Sequence, residues 1–199
     1  MQPLVRATLI VLCISAGPLL ADAQLTATLV RAGPAELSNP HDLKLSPDGR
    51  YLYVSDLGND RIAILDPDSL RVIGAFGSDH QSGPHDIDLD ASGRAYVADT
   101  HNSRVALYQV DALQARWTGE LRGGIRGPEG VLAHPNGRVY VAGAWSNNVV
   151  VYENDTVVQE LKGLSAPHDL ELAINGTDIW LADAGHARVL LTSPDLQLT

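Results

Sequence analysis

The sequence is poor in cysteine and in basic residues. Its single cysteine, Cys13, lies within the first 23 residues, so the remaining chain has no thiol and cannot form a disulfide. The stability of that part must come from packing and not from cross-links. Only 14 Lys and Arg residues stand against 24 Asp and Glu, which gives a formal net charge of −10. This charge argues against nucleic acid and anionic membranes as partners, and it is compatible with metal ions and cationic ligands.

The sequence also lacks a long hydrophobic run. Its longest apolar stretch, residues 7–20, is shorter than the roughly 20 residues that a membrane-spanning helix needs. A short basic start precedes this stretch, and the small-x-small pattern Ala21-Asp22-Ala23 follows it, as is typical of signal-peptidase cleavage. We therefore expect a signal peptide at 1–23 and an exported domain at 24–199, periplasmic or extracellular, with no membrane span after cleavage.

Helical periodicity is absent after residue 23, and one short phrase returns four times. Three copies read Pro-His-Asp followed by Leu or Ile, and the remaining copy reads Pro-Glu-Gly-Val. The copies begin at Pro40, Pro84, Pro128 and Pro167, which are separated by 44, 44 and 39 residues. This spacing is typical of a propeller blade or a solenoid unit. It divides the chain into repeats at about 37–81, 82–125, 126–165 and 166–199.

Each repeat contains the same succession of short strands and turns. A turn that ends in Gly49, Gly93, Gly137 or Gly176 precedes a second strand rich in aromatic and β-branched residues. Four strands in about 40 to 45 residues form the blade of a β-propeller. The sequence thus predicts an all-β propeller of four-stranded blades.

The outer strand of the blade occurs only three times, whereas the other strands occur four times. Residues 25–30 alternate in the manner of a strand, and we expect them to complete the fourth blade and close the ring. In the alternative, the chain is a shortened member of a six-bladed family whose ring stays open or closes by pairing two chains. The oligomeric state stays open at this point.

The first strand of each propeller blade lines the central channel, so the repeated phrases should meet at the channel mouth. His41, His85 and His168 then form a candidate metal site, with zinc as the favoured ion. Glu129 takes the equivalent place in the third repeat as a fourth ligand or a base. The neighbouring aspartates would orient the imidazole rings or cap the blade junctions; these are Asp42, Asp86 and Asp169. In the alternative, the His-Asp pairs only form hydrogen bonds between neighbouring blades.

Two further groups of residues recur near the second strands. Three aspartates are each followed five residues later by arginine, a pairing that typically fastens the loops of such repeats. The pairs are Asp56 with Arg61, Asp99 with Arg104, and Asp183 with Arg188. The loops beside them place His101, Trp145 and His186 on the same face as the channel mouth. Trp145 either stacks on a ligand or packs between blades.

Residues 96–105 resemble the NHL signature, and residues 46–54 resemble the related YVTN repeat. The resemblance covers about residues 37–191 and implies a propeller fold. His41, His85 and His168, one in each Pro-His-Asp phrase, also resemble the zinc ligands of the peptidyl-α-hydroxyglycine α-amidating lyase family. That likeness implies a zinc-dependent lyase, although it assigns no catalytic residue.

Two functions follow as hypotheses. In the first, the protein is an exported module whose top face binds a small molecule, a peptide or a protein, with a metal ion at the channel mouth. In the second, it is a metal-dependent lyase or hydrolase that works through a three-histidine ion. The sequence leaves open whether the protein is an enzyme.

Overall fold

The computed structural model describes residues 28–197, which fall into two units. Residues 28–32 belong to the first unit and have no regular secondary structure. The second unit begins at Gly33 and contains every strand described below. The predicted signal peptide at 1–23 lies outside the described residues. Among the residues described, no helix is long and apolar enough to cross a membrane.

In the described part of the chain, fifteen strands form four antiparallel sheets, which are the blades. Blade 1 comprises β1 Pro40–Leu45, β2 Leu52–Asp56, β3 Arg61–Leu65 and β4 Val72–Phe76. Blade 2 comprises β5 Pro84–Leu89, β6 Arg94–Asp99, β7 Arg104–Asp111 and β8 Gln114–Leu121. Blade 3 comprises β9 Pro128–Ala133, β10 Val139–Gly143, β11 Asn148–Glu153 and β12 Thr156–Leu161. Blade 4 comprises β13 Pro167–Leu172, β14 Ile179–Asp183 and β15 Arg188–Thr192. Single 3-10 turns at Leu57–Asn59 and Ala184–His186 follow β2 and β14.

The turn glycines have the conformation that the sequence predicts. Gly49, Gly93, Gly137 and Gly176 have φ between 72° and 85°, a region where a side chain is strained. Each closes the turn between the first and second strands of its blade, so the chain reverses at the same place in every repeat. The all-β propeller prediction is confirmed: four blades stand around one axis.

Within the described residues, the core consists of three layers between successive blades and a smaller cluster of Val54, Ala63 and Leu65 on the side of blade 1 away from blade 2. The layer between blades 1 and 2 includes Tyr53 and Ile87, and the next layer includes Tyr96 and Val131. Tyr140 packs in the layer between blades 3 and 4. The tyrosines on the second strands of blades 1 to 3 are therefore core residues, whereas Trp180 on the second strand of blade 4 is 44% exposed. Within the described residues, no such layer joins blade 4 to blade 1.

Blade 4 has three strands in the described part of the chain. The segment that we expect to supply its fourth strand is residues 25–30. Residues 25–27 lie outside the described range, and residues 28–30 are not in a strand. Closure by this segment stays a prediction.

Candidate functional site

A β-bulge places the Pro-His-Asp phrases at the channel mouth. In blade 1, Pro40 lies opposite Asp56 and Leu43 lies opposite Val54, so β1 holds one residue more than β2 over this stretch. The same shift occurs at the Pro-His-Asp phrases of blades 2 and 4. A bulge breaks the strict alternation of side chains along a strand. His and Asp, although adjacent in sequence, can therefore both contribute to the channel.

His41, His85 and His168, which we call the histidine cluster, lie together as the sequence predicts. The His41 ring centroid lies 4.2 Å from that of His85 and 5.4 Å from that of His168. Glu129 lies beside the cluster, with its Oε2 atom 3.5 Å from His168 Nε2. The structure thus brings all four predicted ligands together. Their role as metal ligands stays a prediction.

Hydrogen bonds hold the His85 ring in one tautomer. The Thr100 hydroxyl has a single proton, which it donates to the Pro128 carbonyl at 2.5 Å. The same hydroxyl oxygen lies 2.7 Å from His85 Nδ1, so Nδ1 carries a proton and donates it. Gly83 O is a second acceptor at 3.1 Å. Burial lowers the pKa of His85, so the ring is neutral near pH 7 and its Nε2 atom has a free lone pair.

Asp42, Asp86 and Asp169, which we call the aspartate cluster, also converge. One carboxylate oxygen from each lies within 4.8 Å of the others. Among residues 28–197, no other group of three or more His, Cys, Asp or Glu residues brings its candidate ligand atoms within this distance of one another. The residues border a cavity of about 20 Å³ on the axis, which is enough for one water molecule or one ion.

The carboxyl groups of the aspartate cluster lie in an environment that disfavours their ionised form. Burial raises the pKa of Asp86 well above its usual range, and the nearby Asp42 carboxyl raises it further. The backbone N–H of Val131 opposes this rise by donating to Asp86 Oδ2 at 2.6 Å. Two negative charges in so small a space repel each other unless a proton or a cation is shared between them. The cluster is therefore suited to hold a positive charge.

A charged layer lies next to the aspartate cluster in the channel. Lys44 Nζ lies 2.7 Å from Asp88 Oδ1, and Asp88 Oδ2 accepts the backbone N–H of Ala133 at 2.8 Å. Burial acts to lower the pKa of Lys44, but the bond to Asp88 and nearby carboxylates raise it overall. Burial raises the pKa of Glu171, which also lines this part of the channel. Lys44 therefore neutralises only part of the negative charge.

Blade 3 departs from the Pro-His-Asp phrase for a steric reason. A Cβ atom on Gly130 would lie 2.7 Å from the His168 carbonyl oxygen and 2.9 Å from the Asp169 Cα. Only glycine allows the backbone of blade 4 to approach so closely at this point. The replacement of aspartate by Gly130 thus belongs to blade packing, whereas Glu129 projects beside the histidines.

The loops between second and third strands border the same face. The His101 ring packs on Gly83, and the Trp145 indole covers Gly127 so closely that a Cβ there would overlap it. The two rings are nearly parallel, at an angle of 20° and a centroid distance of 6.1 Å. Trp145 remains half exposed. Both roles predicted for Trp145, stacking on a ligand and packing between blades, stay open, because its indole packs on one blade and also presents an aromatic surface to solvent.

The predicted Asp-Arg pairs fasten the loops. The arginine Nε atom donates to the aspartate at 2.7 Å in each of the three pairs. Each aspartate also accepts a backbone N–H from the serine of the preceding connection, which is Ser38, Ser82 or Ser165. His186 Nδ1 contacts Asp183 as well, at 2.9 Å. These aspartates are structural, as expected.

Sequence reasoning missed the prominence of the aspartate cluster and the role of Thr100. We expected the aspartates to orient the histidines or cap the blade junctions, and Asp86 does bond to the next blade. Their mutual approach depends on the bulge, for which the sequence shows no separate signal. Thr100 follows Asp99 in only one repeat, so the repeats themselves give no hint of its contact with His85.

The fold and the site define a β-propeller with an acidic, histidine-capped channel. The family model for the NHL repeat matches residues 82–107. A model described as a 7-bladed β-propeller lactonase matches residues 13–73. No curated protein matches the sequence significantly. The NHL-type resemblance found in the sequence is therefore confirmed.

Solved propellers share the fold at low sequence identity. A streptogramin B lyase superposes with a TM-score of 0.68 at 15% identity, over 81% of this chain and 54% of the lyase. Kuenenia stuttgartiensis hydrazine synthase gives 0.67 at 18%, over 85% and 49%. The periplasmic gluconolactonase of Pseudomonas aeruginosa gives 0.64 at 16%, over 80% and 52%. The chain spans about half the length of each.

Proposed function

We propose that this protein is an exported propeller module that binds a divalent cation at its channel mouth and a small molecule, peptide or protein on the surrounding face. The observation that carries the proposal is the meeting of two donor sets on one axis. The histidine cluster supplies imidazole nitrogens, and the aspartate cluster supplies carboxylate oxygens within 4.8 Å of one another.

The state of His85 supports cation binding. A metal ligand must offer an unprotonated nitrogen, and the bonds from Nδ1 to Thr100 and Gly83 leave Nε2 unprotonated. The lowered pKa keeps the ring neutral, so proton release does not oppose binding near pH 7. His85 therefore already has the tautomer and the charge that a metal ligand needs.

The charge of the channel supports the proposal independently. A divalent ion beside Asp86 would replace the proton that its raised pKa retains, and it would relieve the repulsion from Asp42. The two donor sets favour different ions, since imidazole suits Zn²⁺ and carboxylate suits Mg²⁺, Ca²⁺ or Mn²⁺. Zinc is our first choice because the histidines lie at the open end of the channel.

Calorimetric titration of the metal-free protein with Zn²⁺, Ca²⁺ and Mn²⁺ tests the proposal. We expect binding of about one equivalent of Zn²⁺, abolished in His85→Ala and retained in the control His80→Ala. The imidazole of His80 packs at a tilt of 43° against Trp117, away from the channel. Binding of Ca²⁺ or Mn²⁺ that is lost in Asp86→Asn but kept in His85→Ala would assign the ion to the aspartate cluster. No binding of any of the three ions would refute the proposal.

A second candidate function is a metal-dependent lyase or hydrolase. The observation that favours it is Glu129, a carboxylate that lies 3.5 Å from His168 and projects to the channel mouth. An imidazole-bound ion would supply an activated water or substrate oxygen, and Glu129 is placed to accept a proton. Propellers of similar fold include a streptogramin B lyase and a gluconolactonase, which is why streptogramin B and gluconolactone are the first substrates to test.

The enzyme hypothesis has its own test. We expect hydrolysis or elimination that requires the ion and falls at least about 100-fold in Glu129→Gln, with metal affinity little changed. Equal activity in Glu129→Gln and the unmodified protein would contradict the proposed proton acceptor.

N-terminal sequencing of protein from the periplasm or medium tests export, since a chain beginning at Met1 would contradict cleavage after residue 23.

A further inference from the structure

The junction between blade 4 and blade 1 differs from the other three junctions. Within the described residues, a buried apolar layer joins blades 1 and 2, 2 and 3, and 3 and 4, but none joins blades 4 and 1. Leu43 on the first strand of blade 1 is 61% exposed, whereas its equivalents Ile87, Val131 and Leu170 are at most 3% exposed. Hydrophobic burial therefore contributes little to holding the two ends of the ring together.

Blade 1 completes its own packing without blade 4. Val54, Ala63 and Leu65, on the side of blade 1 away from blade 2, are at most 5% exposed, and Leu37 packs over them. On blade 4, Trp180 remains 44% exposed, so its indole is not buried against blade 1. The relative position of these two blades is therefore not fixed by a shared core.

Side chains of blades 4 and 1 do meet at the channel mouth. The ring of His41 on blade 1 stacks on the ring of His168 on blade 4, at a centroid distance of 5.4 Å and an angle of 19°. Next to them, carboxylate oxygens of Asp42 and Asp169 lie within 4.8 Å of each other. Imidazole and carboxylate groups are ligands of divalent cations. The two ends of the ring thus meet through groups that one cation can bridge.

We propose that the cation bound by the histidine cluster is a clasp that holds blade 4 against blade 1. Its ligands come from three blades, since His41 lies on blade 1, His85 on blade 2 and His168 on blade 4. Blades 1 and 2 are already joined by a buried layer, so the ion changes the contact between blades 4 and 1 most. A metal link is most stabilising where it closes a long stretch of chain, as it does here. This role rests on the cation binding proposed above, and it makes closure of the ring depend on the ion.

Ring closure and ion binding are thermodynamically linked in this arrangement. Because the ion binds the closed ring more tightly than a ring whose ends are apart, fixing the ring closed must raise the affinity for the ion by the same factor that the ion favours closure. Coupling of the usual size would raise the affinity for Zn²⁺ about 5-fold or more. An ion in a site that is already rigid shows no such coupling.

Distances between pairs of spin labels, measured by pulsed electron paramagnetic resonance with and without Zn²⁺, test the clasp. In a Cys13→Ser chain, the introduced cysteines are the only thiols. Ile73→Cys on β4 and Ile174→Cys in the turn after β13 report on blades 1 and 4, and both native side chains are exposed. Val158→Cys on β12 with Ile174→Cys is the matched control, because a buried layer joins blades 3 and 4. Circular dichroism confirms that each variant is folded.

The expected result differs between the two pairs. Zn²⁺ should shorten and narrow the distances of the Ile73–Ile174 pair and leave the control pair unchanged. His168→Ala should abolish the change, and His80→Ala should retain it. Joining the Ile73–Ile174 pair with a thiol cross-linker of the zinc-bound length, followed by removal of the metal, should leave a protein that binds Zn²⁺ about 5-fold more tightly or better.

Calorimetry on the same labelled chains separates the clasp from the cation site itself. Zinc binding without a change in the Ile73–Ile174 distances would overturn the clasp and leave the cation site standing. An equal change in both pairs would also overturn it, because the ion would then tighten every junction alike. An affinity that the cross-link does not raise would show that the ring is closed without the ion. Absence of zinc binding would instead refute the function proposed for the channel, and the clasp with it.

Discussion

The carboxylate of Asp86 on blade 2 accepts the backbone N–H of Val131 on blade 3 at 2.6 Å. One residue thus belongs both to the aspartate cluster in the channel and to the junction between two blades. Its neighbour Asp88 repeats the arrangement by accepting the N–H of Ala133. Channel chemistry and blade packing are therefore coupled through the same carboxylates.

Asp86→Asn should stabilise the protein near neutral pH. Because burial and Asp42 raise the pKa of Asp86 in the folded state, the folded protein holds a proton that the unfolded chain releases above about pH 3.8. The contribution of Asp86 to stability is thus present below that pH and is lost as the pH rises through the folded pKa. Asparagine keeps an oxygen that accepts the Val131 N–H and does not titrate.

Thermal melting from pH 3.5 to 8 measures this effect. We expect the melting temperature of Asp86→Asn to exceed that of the unmodified protein at pH 7, with the gap closing toward pH 3.8. Asp155→Asn, an exposed control that pairs with Arg94, should show no such trend. A lower melting temperature for Asp86→Asn at pH 7 would contradict the raised pKa.

Asp99→Ala should destabilise the fold by about 3–5 kcal/mol, because it leaves the buried donors around it without an acceptor. Asp99 is fully buried, and it accepts bonds from Ser82 N–H, Asn102 and Arg104. Urea unfolding measures the loss. Asp155→Asn removes only the charge of a surface ion pair, and asparagine suits the φ of 62° at this position, so it should change the unfolding free energy by at most about 1 kcal/mol. Equal effects of the two changes would refute a structural role for Asp99.

Thr100→Val should weaken metal binding about 10-fold to 100-fold, as is typical when an outer partner of a ligating histidine is removed. Valine cannot hold His85 Nδ1 or bond to the Pro128 carbonyl. Thr192→Val is a closely matched control, since Thr192 is buried and its hydroxyl has no partner among the described residues. Zinc titrations compare the two variants, and equal affinities would exclude a positioning role for Thr100.

Gly127→Ala should destabilise the protein by about 1–3 kcal/mol through overpacking. The added methyl group would overlap the Trp145 indole, whereas blade 4 tolerates Ala166 at the same place because Gly185 stands where Trp145 stands in blade 3. In a Trp145→Gly background the same change should cost only the roughly 1–2 kcal/mol of backbone strain that alanine has in the left-handed region, since Gly127 has φ 53°. A double-mutant cycle measured by urea unfolding gives the coupling, and additive effects would show that the two residues do not interact.

The sequence was sufficient to predict the blades because each one repeats the same local signals. Gly49 and its equivalents mark the first turn, and Tyr96 and its equivalents mark a buried strand. The meeting of His41, His85 and His168 followed from the topology of a propeller once the repeats were aligned. These predictions depend on local conformation and on the order of the strands.

The remaining features depend on tertiary arrangement, which the repeats do not encode. Leu43 and Ile87 have nearly the same local sequence, yet one is exposed and the other buried because only Ile87 has a preceding blade. The approach of Asp42 to Asp86 depends on bulges at both strands. The absence of a blade before blade 1 and the bulges in β1 and β5 leave the residue types and the spacing of the repeats unchanged. The sequence therefore gives no sign of either feature.

The bulges also make the channel mouth separable from the sheets. His41 and Asp42 lie between the register positions of Pro40 and Leu43, outside the regular pairing of β1 with β2. A substitution at such a position changes the donor atoms offered to the axis without breaking a ladder of backbone hydrogen bonds. Glu129 in place of histidine is one natural example. The histidine positions of the mouth can therefore be redesigned for another ion or ligand while the blades are left unchanged, whereas Asp86 also holds the junction with blade 3.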